Sequence, residues 1–155
     1  MSDMETHRIM ERYTIRWRGP FNRDEVIDDE GYNVVERLYA ITHEPPTRKH
    51  RTLYIGRAID QYIGQRLNKH STDNKISEEY CGLYIFYYLG EVKLHEGQRR
   101  SRKRTEDIEA AIINYHGDVL EYNIQSSVFY NGRKLALTHE GNIPPGIEDF
   151  DTSNW

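Results

Sequence analysis

Leu83 to Leu89 (LYIFYYL) is apolar or aromatic whichever face its side chains point to. A strand with one wet face alternates polar and apolar residues, so an unbroken apolar run of this length reads as a central strand covered on both sides. A chain that contains such a strand must supply neighbouring strands and helices to cover the sheet. At 155 residues there is enough chain for one compact domain of that kind.

Candidate neighbours are legible on either side. Val34 to Thr42 (VVERLYAIT) sets Val35, Arg37, Tyr39 and Ile41 on one face and Leu38 and Ala40 on the other, and Pro45 and Pro46 stop it because proline cannot donate to a ladder. Thr52 to Gly56 (TLYIG) reads as the returning strand. Tyr13 to Trp17 (YTIRW) reads as a short half-buried strand ahead of the main domain. Two stretches have helical spacing. From Ala58 to His70, Ile59, Tyr62, Ile63 and Leu67 recur on one arc; from Glu106 to His116, Thr105 is the expected N-cap and Gly117 the C-terminal stop. Asn131-Gly132 lies between two strand-like runs, which predicts a C-terminal β-hairpin. The Pro-, Gly- and acid-rich tail from Asn142 is expected to wrap the surface or fray. The expected organisation is an N-terminal extension over 1–30, a core over 31–126, and a hairpin and tail over 127–155.

The chain is polar, at 37% hydrophobic residues, but its 12 Tyr, 4 Phe and 2 Trp require that much of the core be aromatic. No segment has membrane-spanning length and the start lacks a secretory signal pattern, so a cytoplasmic protein is expected. Cys81, the sole cysteine, excludes an internal disulfide or a multi-cysteine zinc site and reads as a small buried hydrophobe. His43, His50, His95, His116 and His139 lack paired ligand spacing and read as surface or loop residues. The net charge of −4 argues against nucleic acid, but the charges are segregated. Gln98 to Arg104 (QRRSRKR) and Arg48 to Arg51 are basic; Asp24 to Glu30 and Glu148 to Asp151 are acidic. Each basic cluster reads either as a solvated loop or as a grip on a DNA backbone.

Chemistry is concentrated where polar side chains interrupt apolar helix faces. At 100° per residue, Arg66 falls between Tyr62 and Ile63, and His70 beside Ile59. Glu109 falls between Ile112 and Ile113. A carboxylate aimed at a core must be neutralised, paired or metal-bound, because burying it alone costs several kcal/mol. An internal Arg66–Glu109 salt bridge without function is one reading; a catalytic site is the other. Tyr39 and Tyr54, on neighbouring strands, read equally as core filler.

Taken together, these residues resemble the GIY-YIG nuclease family, named for two tripeptides on adjacent strands. The matching residues are Tyr39 within RLYAI, Tyr54-Ile55-Gly56 within LYIGRA, Arg66 and His70 in QRLNKH, Glu109 in IEAAII and Asn123 in EYNIQS, across about Tyr32 to Ser126. Arg37 stands where the first glycine of the name would be. The resemblance implies an α/β fold with a small, mostly antiparallel central sheet flanked by helices, to which the C-terminal hairpin is added. It also implies cleavage of DNA phosphodiester bonds, double-stranded DNA being the expected partner.

In that reading Glu109 holds one Mg²⁺ or Mn²⁺, and Arg66 holds the phosphate through bidentate hydrogen bonds. Tyr39 stands near the attacking water as general base, a role that needs a nearby cation because a free phenol titrates near pH 10. His70 shares the base or phosphate-binding work, Tyr54 orients water or phosphate, and Asn123 braces the backbone. Arg48, Lys49, Arg51, Arg57, Lys69, Arg99, Arg100, Arg102, Lys103 and Arg104 are the candidate DNA contacts. A one-metal site cuts one strand, so double-strand cleavage requires a homodimer or sequential nicking. The competing expectation is a nucleic-acid-binding or protein-interaction module that keeps the fold without catalysis.

Overall fold

The structure is a computed structural model that describes residues 9–27, 37–58, 71–126 and 130–155, with backbone alone for 71 and 124–126. The expected helix over 58–70 therefore lies outside the described residues apart from Ala58, which ends a strand instead. The elements are β1 (Glu11–Phe21), α1 (Arg23–Ile27), β2 (Arg37–His43), β3 (Arg51–Ala58), α2 (Ser71–Glu79), β4 (Ile85–Lys93), α3 (Arg102–His116), β5 (Leu135–Gly141) and β6 (Phe150–Asp151). Two 3-10 turns, Gly117–Val119 and Glu121–Ser126, follow α3.

The sheet runs β3-β2-β4-β1-β5-β6 and is antiparallel except between β1 and β5. This is the expected α/β class with a mostly antiparallel sheet. β1 is not a strand set ahead of the others: it lies inside the sheet, paired to β4 and β5. Its alternation continues well past Trp17, which gives it the length to hold both partners.

Each face of the sheet has its own cluster. Ile108, Ala111 and Ile112 of α3 pack on Leu38, Ala40 and Ile55, with Ile15 and Trp17 beside them. Each of those isoleucines is fully closed to solvent, a burial that contributes about 1.5–3 kcal/mol. On the other face Val26 of α1 and Ile76 of α2 cover Tyr39, Ile41, Leu53, Tyr87 and Leu89. The two-sided cover of β4 holds over Tyr87–Gly90, whereas Leu83 and Tyr84 precede the strand and are exposed.

Other local expectations are corrected. α3 begins one turn earlier than its acidic residues suggest: Ser101 is the N-cap, its hydroxyl accepting from Arg104 N at 3.2 Å, and Thr105 donates back to Ser101 O. Arg102, Lys103 and Arg104 thus form a helix turn rather than a loop. Lysine and arginine are unfavourable near a helix N-terminus; Arg102–Glu106 and Lys103–Asp107 ion pairs one turn apart offset that.

Cys81 is exposed, not buried, because it sits in the turn between α2 and β4. Residues 130–134 around Asn131-Gly132 form no strand, and 127–129 lie outside the described residues. The run after Gly132 does become β5, but β1 takes one edge and β6 takes the other at Ala136 and Leu137. The tail wraps rather than frays: Thr152 is fully buried and bonded both ways to Leu135, and Phe150 stacks on Tyr115 at 4.4 Å. Among the described residues, no helix is long and apolar enough to cross a membrane.

Candidate active site

β2 and β3 form an antiparallel pair that sets Tyr39 directly opposite Gly56. Strand alternation puts Tyr54 on the same side as Gly56, and the two rings lie 6.0 Å apart in a tilted arrangement. Gly56 is what permits this. A Cβ at that position would stand 2.5 Å from Tyr39 Cζ and 2.7 Å from Tyr54 Cε2, so a larger residue cannot share the space. Tyr39 is fully buried and Tyr54 half-buried. The glycine of the YIG tripeptide is thus the floor beneath both tyrosines.

The next positions on β3 are held from the other face. Asn123, in the second 3-10 turn, is buried and bonds the Ile55 backbone twice: Ile55 N donates to Asn123 Oδ1 at 2.8 Å, and Asn123 Nδ2 donates to Ile55 O at 2.9 Å. This is the brace geometry expected of Asn123. Glu109 projects from α3 and is 8% exposed. Its carboxylate accepts from the Arg57 guanidinium, which rises from the residue after Gly56.

Of the three expected fates of a core-facing carboxylate, neutralised, paired or metal-bound, Glu109 shows pairing, with Arg57 as a partner. Arg66 and His70, and with them any Arg66–Glu109 contact, lie outside the described residues. Tyr39 and Tyr54 belong to the α1/α2 face and Glu109 to the helix on the opposite one, and both groups flank Ile55–Arg57 on β3, the edge strand of the described sheet.

The structure divides the candidate DNA contacts. Arg48, Lys49, Arg99 and Arg100 are exposed. Arg51 pairs with Glu121 at 2.5 Å and donates to Tyr80, while Arg104 donates to Tyr13 Oη at 3.1 Å and to Arg99 O at 2.7 Å. Arg57 is committed to Glu109, and Lys69 lies outside the described residues. Asp107 is buried and bound by Arg133 at 2.8 Å and Lys103 at 3.0 Å.

Two histidines are likewise buried rather than superficial. His116 contacts Ile112 O through Nδ1 and accepts from Glu148 N through Nε2, and burial lowers its pKa. His139 accepts from Trp17 Nε1 at 2.9 Å, and burial is the main cause of its pKa falling to about 4. Parity along β5, fixed by Leu135 and Leu137, carried the signal for His139.

Glu109 presents one carboxylate, and among the described residues no three His, Cys, Asp or Glu side chains cluster as a metal cage. That donor set fits a hard divalent cation that keeps water and a phosphate oxygen in its other positions, and does not fit a closed zinc site. No family model, no curated protein and no solved structure matches this chain.

Proposed function

We propose that this chain is a metal-dependent endonuclease that hydrolyses DNA phosphodiester bonds in the manner of the GIY-YIG nucleases. The observation that carries the reading is the packing of Tyr39 and Tyr54 over Gly56, on a strand that also places Arg57 against Glu109 and is clamped by Asn123. The chemistry requires hydroxyls near water, a carboxylate and cations converging on one phosphate, and a backbone rigid enough to hold them.

In this reading a phosphodiester meets the β3 edge. Tyr54, the more accessible of the two, orients the attacking water or a phosphate oxygen, and Tyr39 behind it, as the phenolate, accepts the water proton. Arg66 holds the phosphate and His70 assists proton movement. Asn123 keeps Ile55, and so the tyrosine-bearing strand, in place. Glu109 would hold Mg²⁺ or Mn²⁺, which supplies positive charge to the developing phosphoryl oxygens and the leaving sugar oxygen. Arg57, now paired with Glu109, would become a phosphate contact if that carboxylate were engaged elsewhere.

A plasmid-nicking assay in Mg²⁺ or Mn²⁺ tests this. Glu109→Ala and Arg66→Ala should each lower cleavage by at least about a hundredfold; full activity in both variants defeats the assignment. The Arg57–Glu109 pair also favours a second reading, a non-catalytic nucleic-acid-binding or interaction module in which that pair is structural. Duplex binding without cleavage in either metal would select it.

A further inference from the structure

β1 has a second pattern besides its buried face. Tyr13, Ile15 and Trp17 point into the core, and the alternate positions Arg12, Thr14, Arg16 and Arg18 point the other way, with all three arginines exposed. Register extends this face across the sheet. Thr14 stands between Lys93 on β4 and Thr138 on β5, and Arg16 between Glu91 and Glu140. Lys93, Glu91 and Thr138 are exposed. The same alternation puts this surface on the face of the sheet that bears Tyr39, because Leu89, opposite Tyr39, is also opposite Arg18.

Where α1 and α2 cover β2, β3 and the Tyr87–Leu89 part of β4 on that face, β1, β5 and the Glu91–Lys93 end of β4 carry charge. Arg12, Arg16, Arg18 and Lys93 outnumber Glu91, Glu140 and, one strand further, Asp151, which stands in register with Arg12 across Ala136, against a chain total of −4. Arg16 and Lys93 share Glu140, at 2.9 and 3.2 Å, so one carboxylate is divided between two cations.

The end of this face is concave. A cavity of about 420 Å³ is lined by Arg12, Lys93, His95, Thr14 and Thr138, among others. The two threonine hydroxyls meet at 2.8 Å, and His95 is fixed by Arg12 O at 2.7 Å and stacks on Tyr13. Arg104, from the basic turn of α3, lies 5.5 Å over the same Tyr13 ring. Two cations, one of them shared with Glu140, and two mutually bonded hydroxyls border this hollow, the donor types that phosphate oxygens accept from: guanidinium and ammonium supply charge, and hydroxyls supply donors that rotate to fit.

We propose that the β4–β1–β5 face is a docking surface for the DNA backbone, with the hollow between Arg12 and Lys93 seating a phosphate. The inference rests on the nuclease reading for its partner and extends it to residues outside the motif. Strands are about 4.8 Å apart, so β1 lies about 10 Å from the strand that carries Tyr39, less than the width of one major groove. The surface contacts phosphates, not base edges, so it contributes affinity and register without sequence preference.

Fluorescence anisotropy of a labelled duplex oligonucleotide in EDTA, titrated across NaCl concentrations, reads the surface without cleavage. The Arg12→Ala/Lys93→Ala double variant should bind at least about tenfold more weakly, with a log K against log salt slope shallower by about two. Glu140→Gln should tighten binding by a few-fold. Both changes lie on exposed or half-exposed positions, and circular dichroism verifies the fold. Unchanged duplex affinity and slope in the double variant overturn the proposal, as does loss of inorganic-phosphate binding, followed by ³¹P NMR, without any loss of duplex binding. A chain that cuts plasmid but binds duplex equally well with and without these cations refutes the surface and leaves the nuclease; duplex affinity that falls in a chain that never cuts does the reverse.

Discussion

Gly56 and Gly90 each lie opposite an aromatic residue of the neighbouring strand, and each would drive a Cβ into that ring. At Gly90 the added atom would meet Trp17 Cζ3 at 2.8 Å; at Gly56 it would meet Tyr39 Cζ at 2.5 Å. The surroundings separate them. Trp17 is sealed into the core, with its Nε1–H given to His139, whose own backbone N–H donates to Asp149. Around Gly56 a second, half-buried tyrosine shares the floor, and the following residue delivers a guanidinium to a buried carboxylate. A ring over a glycine is therefore a packing device in itself. The ionisable groups assembled beside it are what set Gly56 apart.

Matched alanine substitutions break or sharpen that contrast most directly. Gly56→Ala should displace Tyr39 and Tyr54, lowering cleavage by about a hundredfold and stability by about 1–3 kcal/mol. Gly90→Ala should cost a similar amount of stability but leave cleavage per folded molecule unchanged. Plasmid nicking and urea denaturation on the two variants measure both quantities, and equal losses of cleavage would erase the distinction.

The core around Trp17 and His139 should also respond to acid. Unfolded, His139 has the ordinary imidazole value of about 6.5; folded, burial lowers it to about 4. Between those values the unfolded chain binds a proton that the native chain refuses, so stability is complete above about pH 6.5 and falls as pH drops toward 4. The loss is about 3 kcal/mol over that window. Urea melts at pH 7.5 and 4.5 should show a smaller pH difference in His139→Gln than in the parent.

The smallest expected effect concerns the brace. Asn123→Ala leaves the buried Ile55 N–H and C=O without their side-chain partner and should cost about 2 kcal/mol. Loosening β3, it should lower kcat while leaving duplex affinity in EDTA unchanged. An equal fall in both would make Asn123 a binding residue instead.

The placement of several candidate-site residues was legible in the chain. Alternation and the Pro45-Pro46 stop placed Tyr39 and Tyr54 on adjoining strands, and the helical wheel aimed Glu109 inward, where α3 buries it. Asn123 was read as a backbone brace, and it clamps Ile55. The partner of Glu109 was not legible, because helical periodicity gives a side chain's direction and not which strand lies beneath it; Arg57 was read instead as a DNA contact. Ser101 was missed as the N-cap because the basic residues that follow it look unlike a first turn until their i,i+4 carboxylates are considered. The cationic row Arg12, Arg16 and Arg18 was present as a period-two pattern, but its meaning depended on β1 lying inside the sheet.

The sequence by itself determined the local geometry: which runs are strands, that α3 is a helix ending at Gly117, and which residues share a face. Those properties follow from repeats of two and 3.6 residues, and each is set within a few positions of chain. Only the tertiary structure decided that β1 lies between β4 and β5, that Gly56 floors two tyrosines, and that Arg57 reaches Glu109. Strand partners and ion-pair partners are chosen by energies between residues far apart in sequence, which no local period encodes. The Tyr39–Tyr54 pair belongs to both levels: its strands are written in the chain, and the space the rings share exists only once those strands are paired.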